Sequence, residues 1–232
     1  GVSAAEFGQS AMRYWLTVAG DTMGVDYRFS YSQKSGEFTL ERASGSADNN
    51  VDHSSNMMDL EVGYTLADIM NLRVFFNYHT DTGSCVSADA DTCTDDENYD
   101  SYFYDKHKYG GRMDIFNWGN LTYTHVGVSL MPMDDLTVGL DYLMFSQTEK
   151  TGSTTAGRNG GAFAVTGSAT DEEDSLGTEI DLWATKKYDN GLEMTARYSM
   201  FTGGDQYEDA TTPANSLTDT YTQMFLEAKM GF

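Results

Sequence analysis

The sequence predicts an all-β chain folded as a transmembrane antiparallel up-and-down β-barrel, and three observations carry that prediction. Nine segments alternate apolar and polar residues with the period of two that a strand imposes on its side chains. The connections between them alternate short and long, as barrels do with tight turns on one side of a membrane and loops on the other. No run of about 18 apolar residues is present, which excludes a spanning helix and leaves strands as the elements that could cross a bilayer.

Composition agrees with this fold and narrows the function. At 232 residues the chain is long enough for one β-domain or barrel. Its mean hydropathy of -0.47 looks water-soluble, but only every second residue of a spanning strand faces lipid, so a barrel averages out as polar. Aromatic residues at 13%, with 15 Tyr, suit interfacial girdles, and two Pro in the whole chain leave long strands uninterrupted. The net charge of -22 argues against nucleic acid or an anionic cytoplasmic leaflet as partner. The sequence opens Gly1-Val2-Ser3 with neither signal peptide nor initiating Met, as a processed chain would. Cys85 and Cys93 lie in an acidic Ser/Asp/Thr segment. With no third Cys and no clustered His to complete a zinc set, a local disulfide in an oxidising compartment is expected.

Taken in order, the first segment, 13–18, sets Tyr14, Leu16 and Val18 against Arg13, Trp15 and Thr17. After a turn at 20–24, Val25, Tyr27, Phe29 and Tyr31 alternate with Asp26, Arg28, Ser30 and Ser32. The polar stretch 33–56 reads as a loop, with Phe38 and Leu40 able to carry the strands beyond the membrane. The third strand sets Met58, Leu60, Val62, Tyr64 and Leu66 against Asp59, Glu61, Gly63 and Thr65. Across a turn at 67–71, the fourth sets Leu72, Val74, Phe76 and Tyr78 against Arg73, Phe75, Asn77 and His79. A long stretch, 80–120, precedes the fifth, with Val126, Val128 and Leu130 opposite Tyr123, His125, Gly127 and Ser129. A turn at 131–135 leads to the sixth, where Leu136, Val138, Leu140, Tyr142 and Met144 oppose Thr137, Gly139, Asp141, Leu143 and Phe145. After the polar loop 147–175, Ile180, Leu182 and Ala184 oppose Glu179, Asp181, Trp183 and Thr185 in the seventh. Tyr188-Asp189-Asn190-Gly191 supplies an Asn-Gly hairpin. The eighth places Leu192, Met194, Ala196, Tyr198 and Met200 against Glu193, Thr195, Arg197, Ser199 and Phe201, and 203–219 is the last loop. A soluble antiparallel sandwich would show the same alternation but not this regular pairing of turn lengths.

The closing segment puts Met224, Leu226, Ala228, Met230 and Phe232 on one side and Tyr221, Gln223, Phe225, Glu227 and Lys229 on the other. A dyad strand that ends on a terminal aromatic resembles the C-terminal signature of bacterial outer-membrane barrels. That resemblance implies an apolar side facing lipid, a polar side facing the lumen, and the bilayer with its lipopolysaccharide as partner.

Two stretches point to a family. Tyr104-Asp105-Lys106-His107-Lys108-Tyr109-Gly110-Gly111-Arg112-Met113-Asp114-Ile115-Phe116, followed by a Gly-Asn-Leu entry into a strand, resembles the central segment of the alginate-export family of outer-membrane porins. So does Leu176-Gly177-Thr178-Glu179-Ile180-Asp181-Leu182 with the downstream Tyr198-Ser199-Met200-Phe201-Thr202-Gly203-Gly204-Asp205. The resemblance spans residues 100–232 and implies an outer-membrane channel. The family's best-known members carry a polyanion through an Arg-lined lumen. Here the inward positives are Arg13, Arg28, Arg73, Arg197 and Lys229, and the inward acids are Asp26, Asp59, Glu61, Asp141, Glu179, Asp181, Glu193 and Glu227. An acidic wall repels a polyuronate, so a general or cation-preferring porin is expected, with a polysaccharide exporter or a plugged structural or adhesive barrel as alternatives.

The aromatic segment around Gly110-Gly111 has two readings. It folds inward to narrow the pore with Lys106, His107, Tyr109, Arg112 and Asp114 toward the permeant, or it packs on the wall for stability. The acidic run Asp89, Asp91, Asp95, Asp96, Glu97 and Asp100 lacks the Gly and terminal Glu of an EF-hand loop, and reads as a solvated or lipopolysaccharide-bridging face rather than a metal site. No nucleophile elbow or ordered triad is present, so neither an enzyme nor a cofactor is expected. Nine strands break the even count of single-chain barrels, and an open sheet would leave unpaired edges in hydrocarbon. The exporters that the chain resembles have about twice as many strands, ~18. The chain therefore reads as a C-terminal half closed by a second polypeptide. That partner is an N-terminal half or a second copy, unless a missed strand makes a ten-stranded barrel.

Overall fold

A computed structural model describes residues 6–40, 49–83, 95–97, 99, 110–116, 118–149, 155–156, 165–166, 174–205 and 220–231. Its strands are β1 (Glu6–Thr22), β2 (Val25–Leu40), β3 (Asn49–Leu66), β4 (Leu72–Asp81), β5 (Asp95–Asp96), β6 (Leu121–Met133), β7 (Leu136–Gln147), β8 (Thr155–Ala156), β9 (Val165–Thr166), β10 (Ser175–Lys187), β11 (Leu192–Gly203) and β12 (Thr220–Met230). The nine long strands form one antiparallel meander, β1-β2-β3-β4-β6-β7-β10-β11-β12. The short β5 adds to β3 in parallel at Asp52 and His53, while β8 and β9 pair only with each other. Among the described residues there is no α-helix.

The alternation of side chains sorts the sheet into two faces, and their burial is the reverse of a water-soluble protein's. Leu16, Val62, Phe76, Leu140, Leu182 and Leu226 lie exposed on one face. Ser32, Asp59, His79, Asp141, Glu179, Asp181 and Ser199 are buried on the other. The register confirms the sorting, since directly paired residues share a face: Leu182 stands between Leu140 and Tyr198, and Asp181 between Asp141 and Ser199. A continuous apolar face of this extent needs an apolar medium or a partner to cover it.

Strand ends differ from the sequence reading at β1, which begins at Glu6 rather than at 13, and in three further places. The stretch 33–56 is not a loop, because β2 runs on to Leu40 and β3 begins at Asn49, in unbroken register from Val25↔Tyr64 to Leu40↔Asn49. Backbone pairing continues past the apolar pattern because ladder hydrogen bonds do not depend on side-chain hydropathy. The turn at 20–24 shrinks to Met23-Gly24, with φ of 50° and 84°. Two successive positive φ values are the primed hairpin geometry, here reached without Asn at the first position. The 131–135 turn shrinks to Asp134-Asp135, with β6 continuing through Met133 by a register shift between Leu130 and Met133. Pro132 sits in that irregularity, where its missing N–H costs no ladder bond. The Asn-Gly hairpin forms, but only Gly191 takes positive φ, at 82°, with Tyr188 N–H donating to Leu192 O at 2.8 Å. Beside the β6–β7 turn, the hydrogen bond from the Lys186 amine holds the Asp135 carboxyl below the usual carboxylate range.

Candidate functional site: the covered polar face

The polar face carries two linked sets of charges. In the first, Arg73 of β4 donates through Nε to Asp26 Oδ2 at 3.0 Å and through Nη2 to Glu61 Oε1 at 2.9 Å. Arg28 Nη2 lies 2.8 Å from Asp59 Oδ1 and 3.3 Å from Glu61 Oε2. Asp59 also accepts from Asn77 Nδ2 at 3.2 Å and from the Tyr123 hydroxyl at 3.3 Å. His79 closes the set, with Nδ1 at 3.2 Å from Asp59 Oδ2 and Nε2 at 3.1 Å from Asp81 Oδ2. Both ring nitrogens face carboxylate oxygens, an arrangement satisfied when both carry hydrogen. The ring itself is sandwiched between Tyr123, stacked at 4.7 Å, and Trp118 at 4.4 Å.

The second set lies on β6, β7, β10, β11 and β12 and on the connection that precedes β6. Asp141 Oδ2 accepts from Trp183 Nε1 at 2.8 Å and from Arg112 Nε at 3.2 Å, and His125 Nε2 is 3.5 Å from its other oxygen. The Arg112 guanidinium also lies over the Trp183 ring at 4.7 Å. Arg197 pairs with Glu227 at 3.2 Å and stands over Phe225 at 5.5 Å. Lys229 reaches Glu227 at 3.4 Å, and Lys187 reaches Glu193 at 3.9 Å. Asp181 is fully buried, beside Ser199 and Glu179. Burying a carboxyl group is costly, and a site that carries such a cost is a candidate for function.

Glycines make room for these side chains. A Cβ at Gly127 would clash with Phe75 and Asp141, and one at Gly139 with the Trp183 indole. Either addition would displace a ring or a carboxylate that the network fixes.

Part of the long connection between β4 and β6 folds back onto this face. Met113, Asp114, Ile115, Phe116 and Trp118 are all buried. Phe116 packs on Phe145 at 4.9 Å and on Phe201 at 5.7 Å, so the apolar side chains that β7 and β11 point to the polar side, unexpected in a wet lumen, have the segment as their partner. The described part of this segment is packed on the wall, the second of its two readings. Arg112 and Asp114 lie on it, whereas Lys106, His107 and Tyr109 fall outside the described residues.

All thirteen positions assigned inward from the sequence lie on this face. Arg13, over Tyr99 at 5.1 Å, is on the edge strand β1. Glu193 and Lys229 lie toward the short-turn end, near the β10–β11 hairpin. Among the described residues, strand alternation also puts Lys34 and Lys187 here against Asp21 and Asp81, and the packed segment adds Arg112 and Asp114, so these additions leave the acid excess as it was. Sequence reasoning passed over the His79–Asp81 pair and Trp118. The i, i+2 spacing of His79 and Asp81 on one strand face is the signal that could have found the first. Trp118 lies in an irregular stretch with no periodicity to read. Cys85 and Cys93, Asp89 and Asp91 fall outside the described residues, and Asp95 and Asp96 form β5. Among the described residues no group of three or more His, Cys, Asp or Glu has metal-holding geometry.

An antiparallel meander with an apolar open face and a charged covered face defines an all-β protein with two unlike faces. The model of the alginate export family matches residues 11–218, and the chain belongs to that family. Its proteins are outer-membrane β-barrels that act as exporters or channels. No curated protein matches the chain.

Proposed function

We propose that the sheet forms part of a transmembrane barrel in the bacterial outer membrane and acts as a passive channel for small hydrophilic solutes, with a preference for cations. The observation that carries this reading is the inverted burial, apolar outside and polar or charged inside, repeated on β2, β3, β4, β7, β10 and β11. Cation preference rests on the excess of acids over bases on the covered face, because a wall of one sign concentrates counter-ions and repels co-ions. In planar bilayers under a salt gradient, the reversal potential is expected on the cation side, and to move further that way at low ionic strength, where the charges are less screened. An anion-selective reversal potential would show that Arg112 and its neighbours govern the pore instead.

Family membership favours a second reading, export of a polysaccharide. A polyuronate would have to pass the same acidic wall, so it is expected to leave the potassium current unblocked. Concentration-dependent block by alginate oligomers would reverse the order of the two readings.

Closure of the barrel needs strands from outside this sequence. Among the described residues β1 pairs only with β2, and β12 only with β11. Each unsatisfied backbone group at such an edge costs several kcal/mol in hydrocarbon. A second polypeptide, either a complementary half or another copy, is expected in the detergent-solubilised particle. Native mass spectrometry finding a single folded 25.6 kDa chain there would rule it out.

A further inference from the structure

We infer that Glu179 is a positioning residue that clamps the inward segment 110–121 in place, making it a fixed constriction rather than a mobile flap. This rests on the channel reading above and deepens it. Irregular backbone buried against a sheet must find partners for its N–H groups. Two consecutive ones, from Arg112 and Met113, both donate to Glu179 Oε1, at 2.6 and 2.9 Å. They follow Gly110 and Gly111, whose φ values of 75° and 92° turn the amides to one side as an anion-binding nest. A Cβ on Gly111 would stand 2.8 Å from each Glu179 oxygen, so only glycine lets the backbone come this close. The Glu179 side chain is fully buried, so it cannot touch a permeant and can act only through the segment it holds.

The far end of the segment is clamped in the same way. Asp81 Oδ1 accepts the Leu121 N–H at 2.8 Å, and Trp118 lies on the His79 ring that Asp81 also binds. Between the clamps, Ile115 and Phe116 are buried against the wall. Two hydrogen bonds on one oxygen of Glu179 fix both the position and the orientation of the backbone that donates them. Held at both ends and packed between them, the segment presents Arg112 at one place, against Asp141 and Trp183.

The test pairs two readouts on Glu179→Ala, Glu179→Gln and Gly111→Ala. The first is amide hydrogen exchange of 110–118 in the detergent-solubilised protein, and the second is unit conductance in planar bilayers. In Glu179→Ala, exchange at Arg112 and Met113 is expected to rise on the order of 100-fold, because the hydrogen bonds of two buried backbone amides are lost, with the strand amides unchanged. Conductance is expected to rise about twofold, with added open-channel noise. Gly111→Ala, which keeps the carboxylate but forces the backbone away from it, should reproduce both effects. Glu179→Gln, with an uncharged acceptor, should fall between. Should Glu179→Ala fail to fold, the other two variants decide. Unchanged exchange in the variants would overturn the clamp, and fast exchange with unchanged conductance would overturn the constriction. A wild-type protein that passes no current would end the channel reading, while exchange would still decide whether Glu179 holds the segment.

Discussion

Asp59→Ala is expected to destabilise the folded protein by about 3–5 kcal/mol, the cost of breaking a buried ion pair by removing one partner. The carboxylate is fully buried and is held by Arg28, His79, Asn77 and Tyr123, which come from β2, β4 and β6. Its removal takes the buried anion from the Arg28 guanidinium and one of the two carboxylates from the His79 ring. The His79 ring cannot reach water, because it is covered on both sides by aromatic residues. Urea unfolding of the detergent-folded protein, followed by the gel shift of heat-modifiable barrels, gives the difference. A change within about 0.5 kcal/mol, the range of ordinary surface substitutions, would mean that water fills the site and the network is not buried. The double variant Asp59→Leu/His79→Leu should recover part of the loss, since it removes charges from both sides of the contact rather than from one.

This network also shows what could be read from the chain beforehand. Period-two alternation put Asp59, Glu61, Arg28 and Arg73 on one face correctly, because a strand gives its side chains only two directions. It could not say who pairs with whom. The pairing of Arg73 with Asp26 joins β4 to β2 across the intervening β3, and depends on Gly63, which leaves the space between them. The inward segment was harder still. Its anchors, Glu179 and Asp81, are far from it in sequence, and an irregular backbone has no period to reveal which side chains turn inward. Its Gly110-Gly111 pair was legible as a bend, but the carboxylate that requires the bend was not. Strand ends were misread where polar residues occupy both faces, as in 33–40 and 49–56, because hydropathy marks the medium a strand meets rather than where its ladder stops.

Leu182→Arg is expected to cost about 2–4 kcal/mol in a lipid bilayer, the range for a cationic side chain placed near the midplane on a barrel's outer face. Leu182 lies mid-strand in β10, 55% exposed, between Leu140 and Tyr198 on the open face. In water the same change would add charge to an exposed position and cost a few tenths of a kcal/mol at most. The two media therefore predict effects that differ several-fold for one substitution. Thr185→Arg serves as the control. It lies three residues away, on the polar face and near the short-turn end, where it meets Thr137 and Thr195. There the new charge can reach water, and a smaller loss is expected. Reversible unfolding from phospholipid vesicles measures both. If Leu182→Arg cost no more than Thr185→Arg, the apolar face would not be a lipid face, and its covering would have to be sought in another protein surface.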